Sequence, residues 1–158
     1  MAYVVRTKDD PGDVGRAADQ QASIDNDAFF RAALIHVQVE PFGWIIQTPC
    51  AVGDDAVTPI VIPLAMNGMA LIWAECAVET AGVTGTMSIM LRKNAATNML
   101  STALTLDTAE TNSSTAAAPV VIKTDGSEDV ATGDVIHFDF DAIHTTPAKG
   151  CIITARFG

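Results

Sequence analysis

From Thr132 to its last residue the chain reads TGDVIHFDFDAIHTTPAKGCIITARFG, two segments in which apolar and polar residues alternate with a period of two. A strand turns successive side chains to opposite faces, so this period predicts a sheet with one buried side and excludes a helix. Ile136, Phe138, Phe140 and Ala142 fall on one face; His137, Asp139 and Asp141 fall on the other. Residues 145–150, TTPAKG, read as a loop, and residues 151–157 as the partner strand of a terminal β-hairpin. A chain that ends inside its own sheet is constrained to a compact β domain.

Upstream, the sequence is a succession of β-like runs punctuated by turns. Residues 34–39 and 43–48 come first, separated by Pro41 and Phe42; residues 57–63 and 69–80 follow. After a break at residues 82–85, Met87, Ile89 and Leu91 oppose Ser88, Met90 and Arg92. Residues 101–106 and 119–123 add two more runs. No helical segment separates these strands, which argues against a parallel α/β fold. The expected fold is all-β: an antiparallel, jelly-roll-like β-sandwich of about eight strands. Residues 41–158 form this sandwich, and residues 1–40 form an N-terminal arm, extended or partly helical. The arm carries Asp9, Asp10, Asp13, Asp19, Asp25 and Asp27, and the Ala-rich stretch 16–34 is its one helix-like run, with Ser23 or Asp25 as a cap. Such an arm buries little alone and is expected to dock on a neighbouring subunit.

A length of 158 residues suits one domain that buries roughly 68–70% of its unfolded surface. Charged residues make up 18% of the chain, leaving a surface poor in charge that copies or partners are expected to cover. The net charge of −10, with nine Lys and Arg in all, argues against nucleic acid and against a membrane surface. No apolar run reaches the roughly 18–20 residues of a spanning helix. The N-terminus lacks an apolar core behind a basic start, so the chain is expected to be made and folded in a cytoplasm. Cys50, Cys76 and Cys151 have no metal-ligand spacing; they read as reduced core residues, with one disulfide or a reactive thiol as the alternatives.

Candidate chemistry is sparse. His137, Asp139 and Asp141, with His144 beyond, could converge on a divalent ion, but a half-exposed strand places polar residues at the same alternate positions. Asp54 and Asp55, and Glu128 and Asp129, follow glycines and read as turns. Glu75 and Glu79 would stand about 13 Å apart on one strand, too far for a glycosidase pair. Trp73 shares a predicted face with Met69 and Leu71 and is expected in the core; Trp44 also lies in a strand-like run. A sugar-stacking role would need an exposed aromatic flanked by polar groups. No nucleophile elbow, P-loop or dinucleotide fingerprint occurs. The chain is therefore read as non-enzymatic, with no catalytic, cofactor-binding or metal-binding residue assigned.

From residue 99 onward the chain carries, in order, MLST before a short strand, the acidic-then-Ser/Thr stretch into TAAAPVV, DVATGDVI, DFDAI and TTPAKGCIIT. In these pieces, with residues 68–93 extending the likeness, it resembles a β domain found in virion structural proteins of tailed bacteriophages. The resemblance implies a jelly-roll virion component without catalysis, either a capsid decoration (cement) protein or a tail or fibre module. As a decoration protein it would form a homotrimer on the capsid surface and clamp neighbouring major capsid subunits, with residues 2–31 laid on a neighbour. As a tail-tip module it would bind a host receptor or glycan through residues 107–119 and 142–149.

Overall fold

The computed structural model describes residues 35–41, 48–53 and 57–158, all within the folded unit Ile35–Gly158. Ten strands form among them: β1 (Ile35–Val39), β2 (Ile60–Val61), β3 (Leu71–Thr80), β4 (Met87–Lys93), β5 (Thr97–Asn98), β6 (Leu100–Thr102), β7 (Leu104–Leu106), β8 (Val121–Ile122), β9 (Val135–Ala142) and β10 (Lys149–Phe157). Every pairing is antiparallel. One sheet runs β1-β10-β3; a second runs β2-β9-β4-β5, with β7 also on β4; β6 and β8 form a small third. The fold is all-β, a sandwich of antiparallel sheets. The expected helix at 16–34, most of the expected strand at 43–48 with Trp44, and the turn at Asp54 and Asp55 lie outside the described residues.

Alternation decides which side chains are buried. Met87, Ile89 and Leu91 of β4, Ile136, Phe138 and Phe140 of β9, and Cys151, Ile153, Ala155 and Phe157 of β10 each retain at most 1% exposure and belong to one core. A fully buried aromatic of this kind contributes about 1.5–3 kcal/mol. β1 pairs along its length with β10, Ile35 opposite Phe157 through Val39 opposite Ile153. The sheet therefore takes in residues on the arm side of a boundary at residue 40.

The terminal hairpin does not form. β9 sits between β2 and β4 in one sheet, whereas β10 sits between β1 and β3 in the other. Residues 143–148 carry the chain across the sandwich rather than around a tight turn. Six residues exceed the two to five usual in a hairpin loop, and each strand has an apolar stripe broad enough to be central in its own sheet. β3 and β4, also consecutive, part in the same way.

Trp73 is likewise not a core residue. Arg156 stands opposite Trp73 and Phe157 opposite Leu71, so Ile72 is the extra residue of a β-bulge. The bulge breaks the period: Leu71 and Ala74 are buried, Ile72 is 44% exposed, and Trp73 turns to the outer face of the sheet.

Candidate functional site

Three sheet-crossing or returning connections meet at one end of the sandwich: residues 81–86, 107–117 and 143–148. The Val83 and Thr146 backbones form a bridge, the Thr145 amide donates to Thr84 O (2.9 Å), and the Ala109 amide donates to Gly82 O (3.1 Å). The Val78 amide reaches Thr111 O, and the Cys76 amide reaches Ser113 Oγ (2.9 Å), tying the long connection to β3. Asn112 caps a short 3-10 turn, Ser113–Thr115, by accepting from the Ser114 amide. His144 lies among these connections at 1% exposure, with Nε2 3.3 Å from Asp107 O. A carbonyl accepts, so Nε2 carries the proton in this contact. Thr84 (φ 63°) and Ala109 (φ 67°) hold left-handed backbone here, which costs a residue with a Cβ about 1 kcal/mol. The end is thus tightly braced, and it joins the two segments, 107–119 and 142–149, read from sequence as recognition loops.

Asp107 is the electrostatic tie of this end. Its carboxylate accepts from the Ala117 amide (3.0 Å) and the Thr86 hydroxyl (3.0 Å), and these bonds, the amide first, hold its pKa below the ordinary 3.8. A depressed folded pKa contributes stability that is complete above the unfolded value and is lost as pH falls through the folded value. Hydrogen exchange at the Ala117 amide is therefore expected to quicken as pH drops below 3.8, after correction for intrinsic rates. In Asp107→Asn this pH dependence should vanish; a parent profile as flat as the variant's would show that the carboxylate does not hold the loop.

The polar face of β9 is an ion-pair network. Arg92 on β4 stands opposite His137 and reaches diagonally to Asp139, Nη1 to Oδ2 3.0 Å. Its Nη2 lies 3.4 Å from Asp141 Oδ1, and its Nε donates to Asn98 Oδ1 (3.1 Å). Asp139 is 2% exposed, so this face is neither bare nor evenly solvated. A guanidinium already occupies the space between the two carboxylates, and His144 is engaged elsewhere. Among the described residues no group of three His, Cys, Asp or Glu side chains is arranged to hold a metal ion. Arg92 was not singled out from the sequence because a polar residue at its place satisfies the strand pattern whatever it contacts.

Among protein-family models, curated proteins and solved structures, nothing matches this chain.

The remaining candidates separate. The Glu128 carboxylate accepts from the Gly126 amide and the Asp125 carboxylate from the Ser127 amide, which is turn chemistry. Glu75 and Glu79 lie on β3. All three cysteines are free and buried, and Cys76 Sγ is 3.4 Å from Cys151 Sγ. The hydrogen bond with Cys151, then burial, pushes the Cys50 thiol far above its usual range. For Cys151, the bond with Cys50 pulls down, but the bond with Cys76 and burial outweigh it and the pKa is raised. Protonated thiols in an apolar core are poor nucleophiles.

Proposed function

We propose that this chain is a non-enzymatic virion structural protein of a tailed phage, a capsid decoration (cement) protein that forms a homotrimer and clamps neighbouring major capsid subunits. The observation that carries this reading is an apolar rim. Among the described residues β2 is an edge strand, and Val61 on it is 63% exposed and Leu64 just beyond it 78%. Beside it Val39, Pro41, Val57, Pro59 and Ile60, with Glu40 and Thr58, line a cleft of about 350 Å³. Apolar side chains at an open sheet edge suit a surface that a subunit covers. The resemblance of residues 99–158 to phage virion domains supplies the kind of assembly, and weak contacts repeated by a trimer would add through avidity.

The test is co-sedimentation of the full chain with empty heads assembled from the major capsid protein of the phage that encodes it. Saturable binding is expected, with loss on deleting residues 1–32 or on Leu64→Asp. A second reading, a tail-tip module that binds a host receptor, is favoured by the way residues 107–119 and 142–149 are braced together at one end. Host-cell binding with no affinity for heads would overturn the decoration reading in favour of that one.

A further inference from the structure

The bulge at Ile72 has placed an indole where a β-sandwich ordinarily shows plain polar residues. On the outer face of β1, β10 and β3 the register aligns two rows across the sheet, His36, Arg156 and Trp73, then Gln38, Thr154 and Glu75. Three strands span about 10 Å and successive rows about 7 Å, the footprint of a small saccharide. His36 and Gln38 are exposed, and the other four are partly so.

Arg156 is the unusual member. Its guanidinium lies over the Trp73 ring, 5.8 Å from the centroid, in a cation–π contact. The ion pairs among the described residues join Arg92 to Asp139 and Asp141 and Lys123 to Asp125; Arg156 has no such partner. Its Nε is buried without a hydrogen-bond partner. Stacking therefore holds the group in place while its terminal donors stay unspent. Arg recognises carboxylates through a planar fork, and an aromatic face receives the C–H side of a sugar ring.

We propose that this face binds a carboxylate-bearing saccharide of the uronic or sialic acid class. The carboxylate meets Arg156, the ring lies against Trp73, and the hydroxyls are shared among Glu75, Thr154 and Gln38, which offer donors and acceptors together. The net charge of −10 disfavours a nucleic acid. In these two rows Trp73 is the one apolar side chain, short of the cluster of apolar anchors that a protein partner would need. The proposal stands whether or not the chain decorates a capsid.

The test is a titration of the full chain with galacturonate and N-acetylneuraminate, and with galactose and N-acetylglucosamine as neutral probes, read by amide-correlation NMR. The acidic sugars at millimolar concentration are expected to shift the Trp73 Nε1–H and Arg156 Nε–H signals. Arg156→Gln should weaken their binding by about tenfold or more, Glu75→Gln less, with the rest of the spectrum unchanged. Binding of neutral and acidic sugars alike, binding unaffected by Arg156→Gln, or no shift with any probe would overturn the proposal. So would shifts at these signals that follow protein concentration alone, which would assign the face to a second copy of the chain.

Discussion

The Arg92→Gln protein is expected to lose about 3 kcal/mol of folding stability, measured by urea unfolding, the low end of the range for breaking a buried ion pair. The low end applies because Arg92 keeps 26% of its side chain exposed, so solvent already screens part of the attraction. Asp139, at 2%, has no comparable recourse to water. Removing the guanidinium takes a close positive charge away from a buried carboxylate, and an amide in its place offsets little of that charge. Asp141→Asn should cost no more than about 0.5 kcal/mol, since that carboxylate is 39% exposed and its contact is longer, at 3.4 Å. The decisive comparison is the double variant Arg92→Gln/Asp139→Asn, expected to recover a large part of the loss because the buried group facing the missing guanidinium is then uncharged. Additive losses would mean that the two groups stabilise the sheet independently, and that the polar face of β9 is not organised by this pair.

How much of this was legible in the sequence depends on the kind of information involved. The period of two at residues 86–93 and 135–157 gives strand identity and the buried face, because each side chain's direction is a local property of the pleat. Pairing is not local. The stripe Ile136, Phe138, Phe140 serves a hairpin and a sheet-crossing connection equally well, so the pattern could not tell that β9 and β10 belong to opposite sheets. Trp73 shows the complementary failure. One inserted residue, Ile72, reverses the parity of what precedes it on β3, and nothing in LIWAEC marks the bulge. Arg92 and Arg156 carry the same lesson for the sites: each is a polar residue on an outward face, one spent on Asp139 and the other left with an indole. Composition cannot separate those outcomes, since they depend on which residues the register sets diagonally opposite.

Gly82→Ala should be the other severe change, and it tests the braced loop end directly. A Cβ at this position would fall 2.2 Å from both Cγ and Nδ1 of His144 and 2.8 Å from its Cβ, well inside van der Waals contact. The obstacle is steric, a backbone that must pass close to a buried ring, which only a residue without a side chain permits. The ring has little room to yield: His144 is 1% exposed and its Nε2 is tied to Asp107 O, whose chain is in turn held through Ala109 to Gly82 itself. Overpacking of this severity costs about 3 kcal/mol, the upper part of the usual range. Urea unfolding should report that loss, and hydrogen exchange should show it concentrated at the amides of Val83, Thr145 and Thr146, whose bonds cross this junction. His144→Ala alone should cost about 2 kcal/mol through the cavity it leaves. The double variant Gly82→Ala/His144→Ala should be more stable than Gly82→Ala, because the new methyl then enters the space the imidazole vacated, and the two changes should couple by more than about 1 kcal/mol. A double variant that simply adds the two losses would mean that the ring can move aside, and that the three connections are not locked together by His144.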